Sequence, residues 1–96
     1  DTLLDAVPPG IDFMKVKNDL LAIPSVAEVN DLHIWQAGTG HKLLSAHIRM
    51  AEASSDSEAI IRAAQEMLLF QYGINHTTLQ VLPFSAGKMA HCTPCN

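Results

Sequence analysis

The sequence predicts an α+β domain, a truncated ferredoxin-like two-layer sandwich in the order α-β-β-α-β, with two helices on one face of a three-stranded sheet. Three observations predict it. Two segments repeat their apolar residues at helical spacing, three others alternate apolar and polar residues as strands do, and the two kinds follow each other in that order within 96 residues. One domain is expected over residues 1–96, and an apolar content of 48% lets it bury a modest core.

After a lead-in, "DTLLDAVPPG", broken by Pro8, Pro9 and Gly10, the stretch from Asp12 to Ile23 places Phe13, Val16, Leu20 and Ile23 at helical spacing. Asp12 is the predicted N-cap, and Pro24 stops the helix. "SVAEVNDLHIW" and "HKLLSAHIRMA" read as strands joined by "QAGTGH", whose two glycines suit a hairpin. A second helix is predicted from Ser57 to about Gln71 by Ile60, Ile61, Ala64, Met67 and Leu68, with Asp56 or Ser57 capping its start and Gly73 ending it. "HTTLQVLP" is the third strand, and residues 84–96 form a tail carrying the CxxC of "HCTPCN".

No apolar run approaches the roughly 20 residues needed to cross a bilayer, and no signal-like start precedes the domain, so a soluble piece is expected, with no direct membrane insertion. The net charge of −4 with scattered Lys and Arg argues against nucleic acid as a partner, which needs a basic face. A disulfide between cysteines two residues apart would close a tiny strained loop, so metal ligation in a reducing compartment fits Cys92 and Cys95 better.

Strand neighbours point to opposite faces, so parity sorts the side chains. In the first strand Leu32 and Ile34 oppose Asp31, His33 and Trp35; in the second, Leu44, Ala46, Ile48 and Met50 oppose Leu43, Ser45, His47 and Arg49; in the third, Thr77, Leu79 and Val81 oppose His76, Thr78, Gln80 and Leu82. With the cleaner apolar rows facing the helices, His33, His47 and His76 fall on the uncovered face. Three imidazoles on rigid strands would hold most of a tetrahedral zinc site, which Cys92 and Cys95 could complete or leave for one of their own. Mixed nitrogen and sulfur donors favour zinc, with cobalt or cadmium as alternatives, over magnesium or calcium. Taken singly, a histidine on a polar strand face is more often a solvated side chain, a lone CxxC is a weak signal, and His41 in the turn is simply exposed; three histidines on one face weigh towards a ligand role. Trp35, with Leu43 and Leu82, would leave an apolar patch there, best covered by a second copy of the chain.

The strings "LLDAVPPGID", "IPSVAEVNDLHIW", "LLSAHIRM" and "YGINHTTLQ", in that order and spacing, resemble the cytosolic C-terminal domain of the cation diffusion facilitators, the zinc-exporting transporters, over nearly the whole chain. The resemblance implies a cytosolic domain below six membrane helices that are not in this sequence, a homodimer formed through these domains, and zinc exchanged for protons in the membrane part. Carried over by position, the family's cytosolic metal ligands fall on His33, His47 and His76, and Cys92 and Cys95 match the terminal CxxC of the vertebrate granule and vesicle members. In that subgroup the site resembles one shared between protomers or completed by an N-terminal tail.

Two departures from the family pattern bear on the site. Asn30 stands where many bacterial members carry histidine, and Leu82 where many carry an acid, which puts the bacterial two-metal arrangement in doubt here. Asp31 could serve as a ligand-orienting acceptor or an oxygen ligand, or pair with Arg49. The reading is thus a regulatory and dimerisation domain that binds zinc to sense the cytosolic metal, and not an enzyme, since no nucleophile has a base arranged beside it. Two alternatives stand beside it. A free metallochaperone would carry its CxxC after the first strand and not after the last, and a small-molecule regulatory domain would show ordered polar loops, of which only "GTG" is a hint.

Overall fold

The computed structural model describes residues 7–85, which form α1 (Phe13–Leu21), β1 (Val26–Ala37), β2 (His41–Met50), α2 (Ser57–Tyr72) and β3 (His76–Leu82). The element order is the predicted one. Most of the CxxC tail lies outside the described residues.

Asp12 caps α1 as expected: its backbone is extended and its carboxylate accepts the Lys15 N–H at 3.2 Å. Asp56 performs the same service for α2, accepting from the N–H groups of Glu58 and Ala59. Gly73 ends that helix at φ 70°, a left-handed turn that a residue with a Cβ adopts at a cost. The turn delivers Ile74 into the core, where it is buried.

The sheet has the order β1-β2-β3. The hairpin pairs β1 with β2 antiparallel, and α2 is the crossover that lets β3 return parallel to β2. On one face Val29, Leu32 and Ile34 of β1 join Leu44, Ala46 and Ile48 of β2 and pack with Val16 and Leu20 of α1 and Ile60, Ala64 and Leu68 of α2 in a single core. Both helices therefore cover the same face, because each turns one apolar stripe inward. None of the described helices is long and apolar enough to cross a membrane.

The core face of β1 contains a departure from simple alternation. Val29 and Leu32 are both buried although three residues apart, because the register against β2 slips by one residue between Asn30, opposite His47, and His33, opposite Ser45. Asp31 is the extra residue, at φ 52°. This β-bulge sends Asn30, Asp31 and His33 all towards the helix-free face.

A polar cluster ties α1 to α2. The Tyr72 hydroxyl donates to the Asp19 carboxylate, and Lys15 Nζ lies 3.4 Å from the same carboxylate oxygen and 3.3 Å from the Tyr72 oxygen. The Tyr72 hydrogen bond, joined by Lys15, holds the Asp19 carboxyl below its ordinary range against the opposing effect of burial.

Candidate metal centre

The register places the helix-free face in four rows across the sheet: Trp35, Leu43 and His76; His33, Ser45 and Thr78; Asn30, His47 and Gln80; Glu28, Arg49 and Leu82. His33, His47 and His76 do share this face. They do not converge at one point. His33 and His47 stand on adjacent strands in neighbouring rows, but His76 pairs with Leu43, four residues from His47, which is roughly 13 Å along the strand direction. An ion held at about 2.1 Å by His47 is out of reach of His76. Among the described residues no three His, Cys, Asp or Glu groups come close enough to hold a metal ion together. Cys92 and Cys95 lie outside the described residues.

What the sheet does assemble is a partial site. A hollow of about 270 Å³ is lined by Asp31, His33, Ser45, His47, Thr78 and Gln80. His47 Nδ1 is 3.1 Å from Asp31 Oδ2, and both side chains are about one-third to two-fifths exposed. His76 borders a different hollow with Gln65, Leu69, Asn75 and Thr77. The two imidazoles are donors of the kind a borderline transition-metal ion such as zinc accepts, but with Asp31 they do not come close enough to hold an ion by themselves, so a metal bound here would need donors from outside the described residues.

Arg49 is not the partner of Asp31. Its Nη1 donates to the Pro83 carbonyl at 2.9 Å, and its Nε faces Glu28 at 3.7 Å. Glu28 in turn accepts from Asn30 Nδ2. Asp31 is thereby left to His47. The apolar residues of this face are also divided: Trp35 and Leu43 sit side by side in one end row, while Leu82 lies in the row at the opposite end, beside Arg49. The expected continuous patch is two separate half-buried pieces.

Sequence reasoning missed the bulge that aims Asp31, although its signal was present: Asn and Asp in mid-strand are the residues that best tolerate positive φ. It also missed the Lys15–Asp19–Tyr72 cluster, which joins residues more than fifty positions apart and has no local signature.

Comparison with known proteins adds independent findings. A family model described as "Cation efflux protein, cytoplasmic domain" matches residues 8–84. A probable zinc transporter protein of Dictyostelium discoideum is 46% identical over 79 residues, 82% of this chain and 14% of that relative. The proton-coupled zinc antiporter SLC30A2 of Mus musculus is 32% identical over 93 residues, 97% of this chain and 24% of the relative. The vacuolar zinc transporter TgZnT of Toxoplasma gondii is 35% identical over 88 residues, 92% of this chain and 10% of the relative. The chain thus spans a quarter or less of these relatives. Among solved structures, the metal-bound C-terminal domain of the CzcD transporter from Cuprividus metallidurans superposes with a TM-score of 0.67 at 29% identity, covering 74% of this chain and 97% of that one. The Zn form of the transporter CzrB shares the fold, with a TM-score of 0.65 at 16% identity over 88% of this chain and 99% of that one.

Proposed function

Since the chain belongs to the cation efflux family, as the cytoplasmic domain of a transporter, we propose that it is the regulatory and dimerisation domain of a zinc exporter that exchanges Zn2+ for protons through membrane helices outside this sequence. The domain binds cytosolic zinc as a signal. His33 and His47 supply imidazole nitrogen from adjacent strands, Cys92 and Cys95 or a second protomer complete the coordination, and His76 serves a separate position on the same face. The observation that carries this reading is the hollow that gathers Asp31, His33 and His47 on the face left bare by both helices.

A bound ion would supply the positive charge that joins donors which do not meet among the described residues. The chain's own residues do the rest: the strands fix the spacing of the imidazoles, and Trp35 with Leu43 offers an apolar contact for a second copy. The family model that matches residues 8–84 carries the short name ZT_dimer, which supports that occupant. If zinc takes donors from both protomers, it binds the closed arrangement better than the splayed one. The closed population then rises by that difference in affinity and no more. Closure transmitted to the membrane helices makes export respond to cytosolic zinc. The family is one of transporter domains and not of catalysts, and no chemical step on a substrate is proposed.

Native mass spectrometry of the chain with stepwise zinc tests this. Wild type is expected as a dimer that takes up zinc, His47→Ala loses at least one ion per dimer, and Cys92→Ser with Cys95→Ser weakens uptake. A dimer that ignores zinc, or variants that load like wild type, would overturn the sensing role.

A further inference from the structure

Asp31 is held in a conformation that ordinary strand residues avoid, and its position is otherwise unexplained by packing. It is the inserted residue of the β1 bulge, at φ 52°, exposed, and part of no core contact. Without the bulge, the alternation that buries Val29 would turn residue 31 towards the helices. With it, the carboxylate lies on the helix-free face, 3.1 Å from His47 Nδ1.

That contact has a chemical consequence. An ionised carboxylate can only accept, so the proton of a neutral His47 sits on Nδ1, and the lone pair is left on Nε2. We infer that Asp31 is a positioning residue that fixes the His47 tautomer and ring orientation, so that His47 offers Nε2 to the metal ion while Asp31 stays off the metal. This rests on the zinc-binding reading above. His33 has no such acidic partner among the hydrogen bonds and ion pairs of the described residues, so His47 is the pre-oriented ligand of the pair and His33 the adaptable one. The division of labour follows the general behaviour of ligating histidines, whose second nitrogen is held by a carboxylate or carbonyl that raises basicity and removes rotational freedom.

The arrangement makes a backbone effect and a side-chain effect separable. Gly and Asn both accept positive φ, so Asp31→Gly keeps the bulge and removes the acceptor, while Asp31→Asn keeps an acceptor oxygen and removes the charge. The test is long-range 1H–15N correlation spectroscopy of the histidine rings in the metal-free 96-residue chain at about pH 8, above the imidazole range, followed by calorimetric zinc titration. Wild type is expected to show His47 protonated on Nδ1. Asp31→Gly keeps its unfolding midpoint, loses the tautomer bias and binds zinc about 10- to 100-fold more weakly. Asp31→Asn keeps the tautomer and loses less affinity. An Asp31→Gly chain with unchanged tautomer and unchanged affinity overturns the inference, and so does X-ray absorption or 113Cd resonance data showing the Asp31 carboxylate bound to the ion. If His47→Ala binds zinc like wild type, it is the zinc-binding reading that fails, and the ring spectra of the metal-free chain still decide whether Asp31 orients His47.

Discussion

Ile48→Ala should unfold the domain at a markedly lower temperature while its neighbour His47→Ala should not, although the two residues are adjacent in the chain. Ile48 is fully buried on β2, the central strand of the sheet, with Val29 and Val81 as its cross-strand partners on the core face. Truncation to alanine removes three carbon groups at about 0.8 kcal/mol each, and the space left behind adds to this, giving about 3 kcal/mol with a usual range of 2–5. A domain of this size is stable by roughly 5–15 kcal/mol, so the variant stays folded at 25 °C but melts about 12–24 °C lower. His47 is half-exposed on the other face, and its replacement should change stability by no more than about 0.5 kcal/mol. Thermal and urea unfolding followed by circular dichroism measure both. If Ile48→Ala cost less than about 1 kcal/mol, or if His47→Ala cost as much as Ile48→Ala, the assignment of faces would be wrong, and with it the placement of every proposed ligand.

Three further outcomes are expected. Gly73→Ala meets no obstacle, the nearest atom to an added Cβ being Lys42 Nζ at 3.8 Å, so its cost is the left-handed conformation alone: about 1 kcal/mol, read as a melting point about 4–8 °C lower. Because the folded state holds the Asp19 carboxyl below its ordinary value, that group's contribution is complete above the unfolded pKa near 4 and is lost as pH falls through the depressed folded value. Tyr72→Phe removes the chief cause of the depression, so stability measured between pH 5 and pH 2 should fall less steeply in the variant, and the Asp19 carboxyl should titrate higher by NMR. Trp35→Glu places a charge in the proposed contact between protomers, and sedimentation should show a monomer at concentrations where wild type is dimeric; a dimer that persists would move the contact elsewhere.

Much of the fold could be read from the chain because its signals are local. Asp12, Asp56 and Gly73 cap helices through their own backbone surroundings, and the alternation in "LLSAHIRM" assigns Ile48 inward and His47 outward without reference to any other segment. Parity also put Asp31, His33 and Trp35 on one side correctly. It could not say how far apart residues on one face would lie. That distance depends on register, and the register of the parallel pair is set by the length of α2 and by the turn at Gly73 and Ile74, which place His76 opposite Leu43 instead of near His47. The same limit explains Leu82, whose face was legible while its separation from Trp35 was not. Asp31 was given two candidate partners, Arg49 and a ligating histidine; the choice fell to His47 because Arg49 is taken up by Glu28 and the Pro83 carbonyl.

The separation of His76 from His47 bears on how zinc could act as a signal. A complete three-ligand site within one protomer would bind the ion equally well whether two domains lay together or apart, and an ion with equal affinity for two arrangements shifts neither. The proposed partial set of His33 and His47 would behave otherwise: with no third donor close by among the described residues, its affinity would depend on donors from elsewhere, and those of a second copy would meet it only in the closed arrangement. Moving a population from one part in a hundred closed to ninety-nine parts in a hundred requires about 10,000-fold tighter binding to the closed form, about 5.5 kcal/mol. One or two added thiolate or imidazole ligands is the natural source of such a difference, because each is gained only where the donors meet. On this reading the incompleteness of the sheet-face site is what gives zinc leverage over the arrangement of the domains, and adding a third donor within the hollow, as in Gln80→His, should raise zinc affinity while weakening the dependence of dimerisation on zinc.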